Sequence, residues 1–434
     1  SNRMIERYTL PGMGALWSEE AKYRIWLEVE VEAARAMAHY KIIPEKAFAT
    51  IEKKADFNVD RVNQIEAEVN HDVIAFLTSV AECVGEDAKY LHFGMTSSDM
   101  LDTALSLQLK RSAAVIDKKI DTALKGIRKL ALKYKMTPIM GRTHGVFAEP
   151  TTLGLKFAVW YTELDRARQR FKDAAESVSV GKISGAVGNF ANLDPKIEAM
   201  VCKRLGLKPA PVSTQVLQRD RHAHFVTSLA LLASSLEKFA TEIRLLQRTE
   251  TGEMMEGFGA KQKGSSAMPH KKNPITAERI TGIARLLRGY AVSAMENIPL
   301  WHERDIAHSS VERVILPDAC IITDYALQKF IGVLEGIVVD EQRMLENINY
   351  RGGVVFSQRL LLRLTELVGN RDTAYRMVQR NAMSAVASNG SFRQNVKEDE
   401  EIRKHLSEKD IDRCFDLGYY TRNVDKIFKR VFSK

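Results

Sequence analysis

Apolar residues recur along much of this chain in alternating steps of four and three, the spacing that lays one stripe along an α-helix. The pattern is clearest from 225 to 246, through Phe225, Leu229, Leu232, Leu236, Phe239, Ile243 and Leu246. Similar stripes run through 153–174, 116–134 and 280–294, and a less regular one through 316–334. Short runs that alternate apolar with polar are nearly absent, so few strands are expected. The chain is therefore predicted to be all-α, with long helices packed side by side at shallow crossing angles as a bundle. Ala230, Leu231, Ala233 and Ala240 widen the apolar arc of the 225–246 helix. That helix is expected to touch other subunits as well as its own neighbours.

Punctuation places the remaining elements. Asp194-Pro195 reads as an N-cap and a first-turn proline, opening a helix over 195–205 that Gly206 ends. The glycines at 181, 185 and 188 make 177–194 a loop or extended excursion. Gly352-Gly353 marks a hinge. The expected organisation is a helical N-terminal domain over 4–96, the long bundle over 97–345 and a helical C-terminal domain over 346–434. Ser1, Asn2 and Arg3 read as residues added ahead of Met4.

Composition narrows the class. A hydrophobic share of 45% and a charged share of 27% describe a globular, soluble protein. No run is long enough to cross a bilayer and no export signal opens the chain, so a cytoplasmic location is expected. Cys83, Cys202, Cys320 and Cys414 are far apart and are expected as reduced, buried thiols. The net charge of +9 suits an anionic small molecule better than nucleic acid, because the basic residues are interspersed and no nucleic-acid motif appears.

The chemistry concentrates in KGSSAMPHKKNP at 263–274, where two serines, two lysines and an asparagine follow Gly264. Further strings stand at His71-Asp72-Val73, at 94–99 (GMTSSD), at 141–145 (GRTHG) with Glu149-Pro150-Thr151-Thr152, at 218–223 (QRDRHA) and at 300–305 (LWHERD). Together these resemble the adenylosuccinate lyase branch of the fumarase/aspartase superfamily, from residue 4 to nearly the C-terminus. The resemblance implies three helical domains, a central bundle that assembles into a multi-subunit core, and a homotetramer whose active sites are shared between subunits. It implies elimination of fumarate from adenylosuccinate, giving AMP, and from the succinyl-aminoimidazole carboxamide ribotide. Neither a cofactor nor a metal is implied. The expected partners are anionic nucleotide substrates, without nucleic acid or membrane.

Such an elimination needs a base for a proton beside a carboxylate, an acid for the departing nitrogen, and donors around a dianion. The resemblance makes Ser265 the base and His144 the acid. Lys271 then stabilises charge, and Glu278 orients His144 across a subunit boundary. If Pro274 begins a helix, the partial positive charge of its first turn assists the Ser265 alkoxide. Ser266, Thr96, Ser97 and Asn273 fall at contacts to the succinyl portion. Arg7, Tyr8, His71, Asp72, His92, Gln215, Arg279, Arg304, Ser309 and Arg313 fall among those expected to hold substrate, chiefly its nucleotide and phosphate. Asn70 departs from the family, where arginine is common before His-Asp, and supplies no charge to phosphate. His222 is expected to be structural, and spacing alone gives Glu149 no role.

Two other motifs fail. Gly259 and Gly264 have the spacing of a phosphate loop, but Ser265 stands where its lysine belongs. His302 and His308 are six apart, not the four that would put two zinc ligands on one helical face. The alternatives are another fumarate-releasing lyase, such as one acting on argininosuccinate, or a helical binding protein without catalysis.

Overall fold

The computed structural model describes residues 5–257, 267–268 and 270–433. Ser265 and Ser266 lie outside them. The fold is helical, and each of the five apolar stripes lies on a long helix: α1 (Ser97–Lys133), α2 (Leu153–Val178), α3 (Asp220–Gln247), α4 (Ile275–Glu296) and α5 (Ala307–Gly336). The 116–134 stripe marks only the second half of α1. Its first half buries Asp99, Asp102, Thr103, Ser106 and Ser112, so the apolar rhythm is broken although that face points inward. The helix Pro195–Leu205 forms as expected, with Asp194 accepting the Lys196 N–H at 2.9 Å and Gly206 in the left-handed region.

The chain divides by packing into two compact units whose boundaries fall inside the long helices. The first holds 1–122, 165–238 and 279–330. Its N-terminal helices close on an aromatic cluster in which Tyr23 stacks on Phe76 and Trp26 meets Phe76 edge-on. Phe171 of α2 packs against Phe225 of α3. Buried ion pairs accompany the apolar contacts of α1 here. Asp99 and Lys182, both without exposure, pair directly. Arg219 grips Asp102 through two nitrogens at 2.8 and 3.1 Å and reaches Glu312 at 2.9 Å. Buried carboxylates of this kind are tolerated only when paired in this way.

The second unit holds 123–164, 239–278 and 331–434. Trp160 of α2 stacks on Phe239 of α3 at 4.9 Å. A C-terminal core forms around Phe356, Leu360, Leu364, Phe392 and Phe415, and Met140 belongs to it. Met140 comes from the longest strand pair described, β1 (Pro138–Thr143) antiparallel to β2 (Val146–Thr152). The pair bulges between Met140 and Arg142. Gly141 permits this, because a Cβ there would stand 2.5 Å from the Glu149 carbonyl oxygen. The hairpin was not legible as alternation because its two strands bury residues irregularly.

One expectation is corrected. Cys83 is exposed, near the end of the helix Asp72–Val84, whereas Cys202, Cys320 and Cys414 are buried as expected. Its position points outward on a helix whose inner face is Val73, Phe76 and Val80.

Candidate active site

The first unit contains a pocket of about 1230 Å³. It brings together five residues that the sequence nominated from distant segments: Tyr8, Asp72, Arg279, Ser309 and Arg313. The N-terminal segment supplies Tyr8, whose ring meets Tyr325 edge-on at 5.3 Å. Tyr325 in turn accepts a hydrogen bond from Arg279 Nη1 at 3.1 Å. Asp72 opens its helix, receives the Val73 N–H at 2.8 Å and pairs with Arg313 at 2.7 Å. Arg313 is thus held by a carboxylate, and a guanidinium so held can still offer parallel donors to an anion.

The sequence missed Lys22 and Arg285, two further cations on this wall, and the apolar side built by Trp17, Trp26 and Leu286. No motif marks them, since each lies on a helix face that reads as ordinary amphipathic pattern. Lys22 is held below the usual lysine range, first by burial and then by Arg313, with Asp72 opposing. Asp102, Arg219, His308 and Glu312 form the pocket's polar base. Burial and the charge of Arg219 push His308 down to about 4, so it is neutral there at pH 7. His222 is buried too and pushed down to about 3 for the same reasons, which agrees with a structural role.

The other nucleotide candidates are distributed differently. His71 caps the helix Asp72–Val84, its Nδ1 accepting the Ile74 N–H at 3.2 Å. Asn70 ends the preceding helix in the left-handed conformation, with φ 53°. Asparagine tolerates that conformation better than arginine, which gives the departure at position 70 a conformational reason. His92, also left-handed, faces Glu30 at 2.5 Å. Burial would lower its pKa, but the Glu30 charge and hydrogen bond outweigh that and raise it. Asp99 accepts the Thr96 N–H at 3.0 Å, fixing the start of α1 where Ser97 is the first residue. Gln215 donates to the Ala186 carbonyl at 3.0 Å. Arg7 and Arg304 are exposed.

In the second unit, His144 occupies the tip of the β1–β2 hairpin. Thr143 pairs with Val146, so His144 and Gly145 alone make the turn, with φ of 55° and 78°. A two-residue turn with both φ positive matches the twist of its strands, and glycine in its second place is favoured. The turn leaves the imidazole exposed at the end of a rigid support. Glu278 lies in the first turn of α4 and no hydrogen bond joins it to His144. Lys271 and Asn273 precede α4 in the same unit.

A helix does begin just after Pro274, and its N-terminus is capped from within the chain. The N–H groups of its second and third residues, Thr276 and Ala277, each donate to the buried carboxylate of Glu256 at 3.2 Å. A carboxylate of the protein therefore sits at the positive end of this helix, while Ser265 lies outside the described residues.

Comparison with known proteins agrees with these features. The family described as Lyase matches residues 6–289, and that described as Adenylosuccinate lyase C-terminus matches residues 353–431. The adenylosuccinate lyase of Synechocystis sp. is 51% identical over 429 residues, covering 99% of this chain and 100% of that protein. This chain belongs to the adenylosuccinate lyase family. The Bacillus subtilis adenylosuccinate lyase is 49% identical, with 99% of each covered. Among solved structures, a fumarate lyase from Mesorhizobium sp. BNC1 superposes with a TM-score of 0.89 at 28% identity, covering 98% of each chain. A 3-carboxy-cis,cis-muconate lactonizing enzyme from Pseudomonas putida gives 0.89 at 29%, covering 98% of this chain and 97% of that one. The helical fold is thus shared with a fumarate lyase and a muconate lactonizing enzyme at under a third identity, and about half of the residues are shared with each of the two adenylosuccinate lyases.

Proposed function

We propose that this enzyme is an adenylosuccinate lyase of purine metabolism, releasing fumarate from adenylosuccinate to leave AMP and acting likewise on the succinyl-aminoimidazole carboxamide ribotide. The observation that carries the reading is the 49–51% identity, over essentially the whole length, to two adenylosuccinate lyases. A pocket with Arg279, Arg285, Arg313 and Lys22 on its walls and a tyrosine at its edge suits an anionic nucleotide.

In this reading Ser265 removes a proton from the carbon beside a succinyl carboxylate. The electron pair left behind spreads into that carboxylate and then forms the carbon–carbon double bond as the C–N bond breaks. His144 gives its proton to the departing nitrogen. Lys271 and Asn273, with Ser266, Thr96 and Ser97, hold the succinyl carboxylates. Tyr8, Asp72, Ser309 and Arg313 hold the nucleotide and its phosphate, with Arg7, His71, His92, Gln215 and Arg304 around them. Glu278 polarises His144 from another subunit. Four chains assemble so that each site draws on several of them. The working location is the cytoplasm, consistent with the fact that no described helix is long and apolar enough to cross a membrane.

The test is an ultraviolet assay with both succinyl nucleotides. Turnover of adenylosuccinate supports the proposal; turnover of argininosuccinate in its place rejects it. Mixing inactive Ser265→Ala and His144→Ala proteins under conditions of subunit exchange should restore part of the activity if sites are shared.

A further inference from the structure

A general acid must be held within a fraction of an ångström of the atom it protonates. His144 stands on a turn of two residues, which contains no other side chain to restrain it. The restraint comes from Arg142, two residues earlier on β1. Its Nη1 donates to Glu253 Oε1 at 2.7 Å and to the Met140 carbonyl at 3.3 Å. The same guanidinium lies over the ring of Phe147, 5.2 Å from its centroid. Phe147 is on β2, just past the turn, and meets Tyr350 edge-on at 5.8 Å. One side chain therefore grips both strands where they enter and leave the His144 turn.

Glu253, the anchor, has no solvent exposure. Its own backbone is tied on both sides, the N–H donating to Leu246 and the carbonyl accepting from Asp340, each at 3.0 Å. Its second carboxylate oxygen is buried with no partner among the described residues. A buried, incompletely satisfied ion pair is a poor way to add stability, since apolar residues of similar volume generally do as well or better. What such a pair provides is a fixed direction between two rigid elements.

We propose that Arg142 and Glu253 are positioning residues for His144, setting the hairpin tip so that the imidazole meets the leaving nitrogen. The proposal rests on the reading of His144 as the general acid. In this proposal the pair acts through the turn.

The experiment is the double replacement Arg142→Met with Glu253→Gln, which removes the pair without stranding a buried charge. In folded protein of unchanged oligomeric size, kcat for adenylosuccinate should fall by at least about tenfold while KM stays within about threefold, because binding is untouched and transition-state geometry is lost. In the His144→Ala background the same two replacements should add less than about twofold, because the residue they position is already gone. Wild-type kcat in the folded double variant overturns the proposal. So does an equal loss in both backgrounds, the mark of a general structural role. Should the double variant fail to fold, Arg142→Lys decides. Its ammonium reaches Glu253 but cannot lie flat on Phe147, so kcat should drop with KM unchanged, and full activity overturns the proposal. Wild-type turnover and its loss in His144→Ala are read in the same assay, so failure of the underlying function is seen separately.

Discussion

His144 shows how much a single backbone angle decides. Its positive φ places the imidazole at the apex of the hairpin rather than on either strand face. Replacing it with asparagine, which accepts the same backbone conformation, should leave the hairpin folded and isolate the proton transfer. His144→Asn should lower kcat by ~10²–10⁴ with little change in KM, measured by the absorbance assay. Gly141 is the complementary case. A methyl group there meets the Glu149 carbonyl at 2.5 Å, backbone against backbone, with nothing flexible to yield. Gly141→Ala should destabilise by roughly 1–3 kcal/mol in denaturant unfolding and, with His144 as the proposed acid, lower kcat as well, because the bulge sets the strand leading to it. The identities of both residues were plain in the GRTHG string, but the reason for each appears only once the strands are paired.

At the scale of elements, the segment 253–257 has two duties. Glu253 reaches back to the hairpin, and Glu256 reaches forward to the first turn of α4. Glu256→Ala removes the partner of two helix N–H groups and should cost about 1–2 kcal/mol, read as a lower denaturant midpoint. The helix itself should survive, since Ala277, Ile280 and Ala284 bury its inner face. In the first turns of α1, buried ions pack beside apolar Met100, Ala104 and Leu107. Arg219→Met would leave Asp102 and Glu312 buried without a cation and should cost about 3–5 kcal/mol. A stability loss below about 1 kcal/mol would show that water replaces the guanidinium there. These carboxylates explain why half of α1 escaped the apolar stripe: a polar residue reads as exposed until its partner, here more than a hundred positions away, is known.

For the molecule as a whole, protonation should govern acid stability through two buried histidines. His222 and His308 are held at about 3 and about 4, against 6.5 for an unburied imidazole, by burial and by Arg219. Between those values and 6.5 the unfolded chain binds more protons, so stability is complete above about 6.5 and falls as the pH drops toward 4. Each histidine contributes a slope of up to about 1.4 kcal/mol per pH unit. His92, raised by Glu30, works with opposite sign, its contribution full below 6.5 and lost as pH rises through its own higher value. Denaturant midpoints measured from pH 7 to 5 should therefore decline, and His308→Gln should flatten the decline by one proton's worth. Long helices also carry half-exposed apolar residues away from the pocket, among them Leu231 on α3 and Val292 on α4. In the proposed tetramer these faces are covered. Leu231→Glu should yield smaller species in sedimentation and, where sites are shared between chains, lose activity with them.

The positions of the long helices, the cap at Asp194, the all-α class and the family were legible in the sequence. Periodicity, capping and the order of residues in a loop are local properties, complete within a few turns of chain. The pocket was not legible as a pocket. Tyr8, Asp72, Arg279, Ser309 and Arg313 could be nominated singly, but their convergence, and the addition of Lys22 and Arg285, came only from packing. The same holds for the Arg142–Glu253 pair, the Glu256 cap and the buried ions of α1. Each is a charge whose energy depends on a partner distant in sequence and on the exclusion of water around both, and neither condition exists until the chain has folded.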